Sequence, residues 1–205
     1  RQFDCNVVMV GAGGITSFFP TELAYQRPSP FLGDRDVLGE IVEKCHQEGI
    51  RVIARFDFSK THESFYKDHP EWYYRSPKGE IVRYNDTVHT CVCGWYQQEY
   101  SLKIIEEVLQ KYSVDGIFFN MFGFTTSDYS NNYYGICHCD ACRQKFAAYS
   151  GGMDLPERES PEDPTFQTYR DFQDQVVGDI LRRIHKLVRQ YSPEIAVCTY
   201  HHSDV

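Results

Sequence analysis

The sequence predicts an α/β fold built on a parallel sheet, and two observations support this prediction. Short apolar runs of strand length alternate with longer segments of helical periodicity, which is typical of successive βα units. Long segments rich in aromatic and reactive side chains follow the strand-like runs, whereas the returns from helix to strand are short. In a (β/α)8 barrel, function gathers in the loops that follow the strands. The pattern therefore favours a parallel (β/α)8 TIM barrel over an open doubly wound sheet.

The first two predicted strands lie on either side of a helix. The apolar run at residues 6–10 predicts the first strand, which we expect to end at the glycine-rich residues 11–14. Residues 51–56 predict the second strand. An acidic residue at position 34 or 36 can cap the intervening helix, and Gly49 can end it. The apolar face of this helix consists of Val37, Leu38, Ile41, Val42 and Cys45.

Two more strands follow, each after a helical stripe. The stripe over residues 102–109 predicts a helix, and residues 117–119 predict the third strand. The stripe over residues 166–188 predicts the longest helix, and residues 195–199 predict the fourth strand. A full barrel usually takes about 250 residues. The chain, read as one domain over residues 1–205, is therefore expected to cover about half of a barrel.

The composition of the chain limits the kinds of partner that it can bind and indicates its cellular compartment. The chain has 205 residues, a net charge of −8 and 41% hydrophobic residues, which suits an acidic domain with a real core. It lacks the basic stripe of a nucleic-acid-binding protein and the ~20-residue apolar stretch of a membrane span. Cys45 and Cys198 fall in apolar patterns, and the other cysteines cluster as metal ligands would. We therefore expect a reduced, cytoplasmic protein.

Three cysteines with C-x-C-x-x-C spacing predict most of a zinc site. Cys137, Cys139 and Cys142 can converge on one ion, since structural zinc takes four ligands in a tetrahedron. The fourth ligand must come from elsewhere, and Cys91 or Cys93 can supply it. Four thiolates leave no open position for water, so such a zinc is structural. A disulfide pair or unconnected thiols are the alternatives.

Several residues around these cysteines carry a resemblance to known enzymes. The zinc-bearing barrel of family 42 glycoside hydrolases, the β-galactosidase group, shows a similar pattern of Cys91, Tyr96-Gln97-Gln98-Glu99, Asn120, the cysteine cluster and Phe146. Residues 69–72 and 114–119 resemble even more closely the hypothetical glycosyl hydrolases related to that group and to α-L-fucosidases. The resemblance spans most of the chain. It implies that the four strands are the second to fifth of a TIM barrel and that Cys91 is the fourth zinc ligand.

The resemblance also implies hydrolysis of the glycosidic bonds of a carbohydrate, with a structural zinc and a homo-oligomeric assembly such as relatives form. In family 42 enzymes the fourth strand ends in Asn-Glu, and the Glu is the general acid/base. Here Met121 follows Asn120, and a thioether cannot donate a proton. In fucosidase-like barrels a carboxylate nucleophile ends this strand, where Asn120 is an amide. The alternative function is a non-catalytic carbohydrate-binding or scaffold barrel that has lost its acid/base residue.

Two acids remain candidates for catalysis. Asp57 follows the second strand and could bind sugar hydroxyls or act as an acid, whereas a salt bridge to Arg55 or a loop cap is the structural alternative. Asp128 lies in the polar loop after Asn120, where it could swing in as an acid or remain a solvated loop residue. Asp115 precedes its strand, so we expect it at the opposite end of the barrel in a structural role.

Four side chains are candidates to bind substrate. Asn120 directly follows a strand and can hydrogen-bond a sugar hydroxyl, unless it is a buried amide that satisfies a loop backbone. Arg55 lies in the same strand as Asp57. His201 ends the last strand, although it could equally be a surface residue. Trp72 can stack on a sugar, but it precedes a turn signal at residues 76–79 in a long excursion, whose aromatic residues often form a small core of their own.

Overall fold

The computed structural model describes residues 5–128 and 132–199, which form two compact units. The first unit contains the described residues through Phe58, Ser101–Phe122 and the described residues from Ile184 onward. The second contains Ser59–Tyr100 and the described residues of Gly123–Arg183. The single domain over residues 1–205 stays a prediction. Within the described ranges, no helix is both long and apolar enough to cross a membrane.

Seven strands and four α-helices follow one another along the described chain. In order they are β1 (Val7–Gly14), α1 (Val37–Gln47), β2 (Arg51–Asp57), β3 (Lys60–His62), β4 (Arg83–Tyr84), β5 (Thr87–His89), α2 (Ser101–Lys111), β6 (Gly116–Asn120), α3 (Asp140–Ser150), α4 (Pro164–Tyr191) and β7 (Ala196–Thr199).

The first unit contains a parallel four-stranded sheet in the order β1-β2-β6-β7. These are the four strands that the sequence predicts, and α1 and α2 pack against β1 and β2. Side chains at alternate strand positions form the core under these helices, because successive residues of a strand face opposite sides of the sheet. The buried strand residues are Val52, Ala54, Phe56, Ile117 and Phe119, and the buried helix residues include Leu38, Val42, Ile104, Ile105 and Val108.

The other face of this sheet is partly exposed. Val7 and Met9 of β1 are 42% and 48% exposed, and Cys198 of β7 is also exposed. The side chain of Arg55, which pairs in register with Gly11, is 40% exposed. Parallel sheets are normally covered on both faces. This face therefore carries apolar residues that the described residues leave open to solvent.

The glycine-rich residues 11–14 continue β1 instead of ending it. The sequence predicts the end of the strand there, but Gly13 and Gly14 pair with Phe56 and Asp57 after a bulge between Gly11 and Gly13. Gly14 has a φ of +109°, and a Cβ at this position would lie 2.0 Å from the carbonyl oxygen of Asp57. Glycine is therefore required because the two backbones approach closely and φ is positive. The predicted stop at Gly49 is confirmed, since Gly49 follows α1 with a φ of +72°.

The second unit contains a small antiparallel sheet in the order β3-β5-β4, which the sequence analysis does not predict. These strands have two or three residues each, too few to show a period. The turn at residues 76–79 is confirmed, because Ser76 N donates to the Glu80 carbonyl at 2.9 Å and Gly79 has a φ of +80°. Helix α3 is not predicted either. It begins at Asp140 within the cysteine motif, contains Cys142, and is capped at its C-terminal end by Gly151 with a φ of +74°.

Asp115 joins the starts of two neighbouring strands, in agreement with the structural role predicted for it. Its Oδ2 accepts a hydrogen bond from the backbone N–H of Val52 at 2.8 Å and lies 2.8 Å from Nε2 of His46. Its Oδ1 accepts a hydrogen bond from Nη1 of Arg51 at 2.6 Å. Burial raises the pKa of the Asp115 carboxyl, but the bonds from Arg51, Val52 and His46 outweigh burial, so the net shift is downward.

We expect Asp115→Asn to lower the free energy of unfolding by about 1–2 kcal/mol at neutral pH, since charge-assisted hydrogen bonds of a half-buried carboxylate are lost. Because the pKa of Asp115 is lowered by folding, its contribution is complete above the unfolded pKa of about 3.9 and is lost as pH falls through the folded value. Denaturant unfolding from neutral to acidic pH should therefore show a steeper loss in the wild type than in Asp115→Asn. Asp179→Asn, which removes an exposed pair with Arg182, is the control and should change stability by less than about 0.5 kcal/mol.

Candidate functional site

Three polar side chains meet in the first unit at the carboxyl ends of β2 and β6. Asp57 and Asn120 are register partners in the last positions of these strands. Nδ2 of Asn120 donates a hydrogen bond to Oδ2 of Asp57 at 2.8 Å, and Nη2 of Arg55 lies 3.8 Å from the same oxygen. The Asp57 side chain is 10% exposed. The structure thus brings together Arg55, Asp57 and Asn120, which the sequence analysis proposed separately, and the predicted salt bridge to Arg55 coexists with the amide contact.

The end of β1 fixes the backbone of Asp57. The Asp57 carbonyl accepts a hydrogen bond from Ile15 N at 2.9 Å beside Gly14. Gly14 is itself held by Gln26, whose Nε2 donates to the Gly14 carbonyl at 2.7 Å and whose Oε1 accepts from Gly14 N at 3.2 Å. Gln26 is buried. The sequence analysis missed this residue, because a single glutamine in a loop gives no pattern that could indicate the contact.

Met121, which directly follows Asn120, has a backbone conformation that non-glycine residues rarely adopt. Its φ is +49°, and Asn85 is the other described non-glycine residue with a positive φ. Left-handed backbone at an unbranched residue carries strain and is found preferentially at functional sites. Met121 is the residue at the expected acid position, and the chain turns sharply there.

Two further predicted site residues, Asp128 and Trp72, belong to the second unit. Asp128 belongs to the second unit, where its Oδ1 and Oδ2 accept hydrogen bonds from the backbone and side-chain nitrogens of Asn132, both at 2.9 Å. Trp72 is only 2% exposed, and its ring stacks on His69 at 3.9 Å and on Trp95 at 5.2 Å. This burial fits the alternative of a small aromatic core. His201 lies outside the described residues.

Four cysteines of the second unit bring their sulfur atoms together. Sγ of Cys91 lies 3.3 Å from Sγ of Cys142, 3.3 Å from Sγ of Cys139 and 3.7 Å from Sγ of Cys137. All four sulfurs lie within 4.8 Å of one another, and all four residues are buried. The loop before the π-helix Tyr96–Tyr100 supplies Cys91. Cys137 and Cys139 lie in the segment that leads into α3, and Cys142 lies in the first turn of α3 itself.

This arrangement fits a metal ion better than the alternatives. All eight cysteines are unpaired, and the sulfur separations far exceed the ~2.05 Å of a disulfide bond. A tetrahedral zinc with bonds of about 2.3 Å would separate its sulfurs by about 3.8 Å, close to the observed distances. The four buried cysteines could therefore hold a metal ion. This group contains Cys91 and not Cys93, whose backbone N–H donates a hydrogen bond to Sγ of Cys91 at 3.3 Å. Cys91 as the fourth ligand stays a prediction.

The thiols influence one another strongly. Hydrogen bonding with Cys137 lowers the pKa of Cys139, whereas hydrogen bonding with the same residue raises the pKa of Cys142. Four thiolates packed this closely repel one another, and a divalent cation would remove that repulsion. Aromatic and aliphatic side chains surround the cluster and exclude water; they include Tyr74, Ile136, Phe146, Tyr169 and Phe172.

The fold is similar to that of several solved glycosidases. An α-L-fucosidase isoenzyme 2 from Paenibacillus thiaminolyticus matches with a TM-score of 0.70 and 21% identity over 95% of this chain and 27% of its own. A β-galactosidase from Rahnella sp. R3 matches with a TM-score of 0.63 and 17% identity over 95% of this chain and 31% of its own. A β-galactosidase from Bacillus circulans sp. alkalophilus matches with a TM-score of 0.62 and 14% identity over 95% of this chain and 32% of its own. These neighbours have TIM-barrel folds. The chain spans between a quarter and a third of their length.

Sequence comparison adds a family to this likeness of fold. No curated protein matches the chain in sequence. A family model described as hypothetical glycosyl hydrolase 6 matches residues 1–121, which include β1, β2, β6 and the Asp57–Asn120 pair. The match covers more than half of the 205 residues. With its parallel α/β sheet and glycosidase-like fold, the chain belongs to the hypothetical glycosyl hydrolase 6 family.

Proposed function

We propose that this protein is a glycoside hydrolase that cleaves O-glycosidic bonds of a carbohydrate. The observation that carries the proposal is the cluster of Asp57, Asn120 and Arg55 at the carboxyl ends of adjacent parallel strands. This is the edge of the sheet where barrel enzymes place catalytic and binding groups. A carboxylate, an amide and a guanidinium together offer the acceptors and donors that sugar hydroxyls require.

We propose further that the described sheet is part of a barrel and contains its second to fifth strands. The exposed face with Val7, Met9 and Arg55 supports this proposal, because the inner face of a barrel is filled by side chains from all its strands. Both outer strands of the sheet, β1 and β7, also have an edge that no described strand pairs with. Further strands would cover the face and pair with these edges.

Asp57 is our first candidate for a catalytic carboxylate, and Asp128 is the second. Asn120 and Arg55 would bind substrate beside Asp57, and His201 and Trp72 are retained as further candidates. Retaining hydrolysis needs two carboxyl groups about 5–5.5 Å apart, and inverting hydrolysis needs them about 6.5–9.5 Å apart. The partner of Asp57 would come from another strand of the complete barrel.

The metal proposed for Cys91, Cys137, Cys139 and Cys142 is zinc in a structural role. Four thiolates satisfy tetrahedral zinc completely, so the ion would hold two loops together without activating water. Thiolate ligands require reduced cysteines, which supports a cytoplasmic location. The proposed substrate is a carbohydrate. We propose no nucleic acid or membrane partner, and we propose that the protein assembles into a homo-oligomer.

One observation favours the alternative of a non-catalytic carbohydrate-binding or scaffold barrel. By the resemblance to family 42 enzymes, Met121 stands at the position of the acid, and its positive φ of +49° supports a turn after β6 that needs no acid there. Such a protein would bind sugars through Asn120, Asp57 and Arg55 and leave them intact.

A hydrolysis assay on the full-length protein distinguishes the two functions. We expect a panel of nitrophenyl α- and β-glycosides to include at least one substrate that releases nitrophenol in proportion to enzyme. Calorimetric binding of the same sugars should be measured in parallel. Binding without release of nitrophenol, or of reducing ends from longer glycans, would establish the non-catalytic alternative.

A further inference from the structure

An open groove of about 820 Å³ lies in the second unit, and neither the Asp57 cluster nor the thiol cluster accounts for it. Its walls are formed by residues between Pro70 and Gly79, by Trp95, and by residues just before and within the start of α3. This volume falls within the range of about 300–1,000 Å³ that is typical of small-ligand sites. Its principal side chains are Glu71, Arg75, Trp95, Asp140 and Arg143.

Trp95 forms an exposed aromatic surface in this groove. Its side chain is 42% exposed although it belongs to an otherwise buried aromatic group. Its ring stacks on Trp72 at 5.2 Å and 25°, and Trp72 stacks on His69 at 3.9 Å and 3°. Tyr100 packs against Trp95 at 5.4 Å. These ring contacts restrict the motion of the indole, so binding of a flat apolar surface to it costs little side-chain entropy.

The polar groups of the groove are also held in place. Nε of Arg143 donates to the His138 carbonyl at 2.8 Å, and Nη2 of Arg75 donates to the Tyr66 hydroxyl at 3.0 Å. Oε1 of Glu71 lies 3.1 Å from Nδ1 of His69, the ring that stacks on Trp72. Each contact fixes one part of a side chain that lines the groove.

The charges of the groove identify the class of ligand. Two acidic residues, Glu71 and Asp140, and two arginines, Arg75 and Arg143, line the groove, so their formal charges cancel. A phosphate or an acidic sugar would meet as much repulsion as attraction there. A neutral molecule with many hydroxyl groups would find both acceptors and donors, together with an indole face for its apolar C–H surface.

We propose that the Trp95 groove is a binding subsite for a neutral oligosaccharide, separate from the Asp57 cluster. The proposal deepens the proposed function and rests on it, since its ligand is of the same chemical class as the proposed substrate. Because α3 and Cys139 form part of the wall, the groove also depends on the cysteine cluster for its shape.

Hydroxyl-radical footprinting with peptide mass spectrometry tests this proposal on the full-length protein. Short neutral galacto-oligosaccharides should slow oxidation of Trp95 by roughly tenfold at saturation, whereas oligogalacturonides of the same length should not. Phe31, which is 95% exposed and lies in the first unit, corrects for radicals that the sugar consumes. Calorimetry should show that Trp95→Ala weakens binding of the neutral sugar by about tenfold or more, as removal of a central aromatic contact does, whereas Phe31→Ala has no effect.

Three outcomes would overturn the proposal. They are unchanged oxidation of Trp95 with every sugar, equal protection by the acidic sugar, and protection that grows with protein concentration alone, which would identify the groove as an interface between copies of the chain. The footprint uses the wild type, so it does not depend on how Trp95→Ala folds. Protection of Trp95 in a protein without glycosidase activity would refute the proposed hydrolysis but support the subsite. Hydrolysis without protection of Trp95 would support the proposed hydrolysis but refute the subsite.

Discussion

Cys142→Ser is expected to lose the bound metal and to destabilise the second unit severely. Cys142 is fully buried, and its sulfur lies 3.3 Å from that of Cys91 within an aromatic core. A serine hydroxyl is a poor zinc ligand, and the three remaining thiols would be left buried without a cation. We expect a loss of at least about 3 kcal/mol in the free energy of unfolding, because a structural zinc contributes directly to folding. Elemental mass spectrometry and denaturant unfolding measure the two effects.

Two cysteine variants control for this result. Cys198→Ser changes an exposed thiol and should keep about one zinc per chain together with the stability of the wild type. Cys93→Ser should also keep its zinc, whereas Cys91→Ser should lose it. The reverse pattern would make Cys93 the fourth ligand. A protein that contains no metal as purified, and that a strong chelator leaves equally stable, would contradict the zinc site itself.

The parallel sheet was predictable because its signal is local. Four apolar runs between helical stripes gave β1, β2, β6 and β7 within a few residues of their observed bounds. The second unit was not predictable in the same way. Its strands are two or three residues long, and their position depends on contacts such as the bond between Tyr74 N and the His89 carbonyl, which join distant parts of the excursion. No periodicity records such pairings.

The candidate sites also differ in how far local sequence patterns predict them. The spacing of Cys137, Cys139 and Cys142 indicated a convergent cluster, because a short turn can bring such cysteines onto one ion. Asp57 and Asn120 were found as residues at strand ends, and the predicted barrel makes their strands neighbours, but their hydrogen bond depends on the register of these strands, which the sequence alone does not give. The support from Gln26 and the exposure of Trp95 in place of Trp72 depend on three-dimensional packing and left no signal in the sequence.

Asp57→Asn is expected to lower kcat for hydrolysis by about 10²- to 10⁴-fold in the full-length protein, the range lost when a carboxyl group that transfers protons is removed. The substitution keeps the size of the side chain and an oxygen that can accept the hydrogen bond from Asn120. The lost attraction to Arg55 acts over 3.8 Å with a partly exposed guanidinium and should cost less than about 1 kcal/mol of stability. Activity and folding should therefore separate, as measured by initial rates and by thermal unfolding of the same preparation.

Asp128→Asn is the matched control, since it makes the same chemical change at the other candidate acid. The two oxygens of Asp128 accept hydrogen bonds from Asn132, so its loss should loosen a loop and reduce kcat by no more than about tenfold. A larger loss in Asp128→Asn than in Asp57→Asn would move the acid role to Asp128. Full activity in both variants would instead exclude both acids and leave the Asp57 cluster a role in binding, because an amide at position 57 still exchanges hydrogen bonds with sugar hydroxyls but cannot transfer a proton.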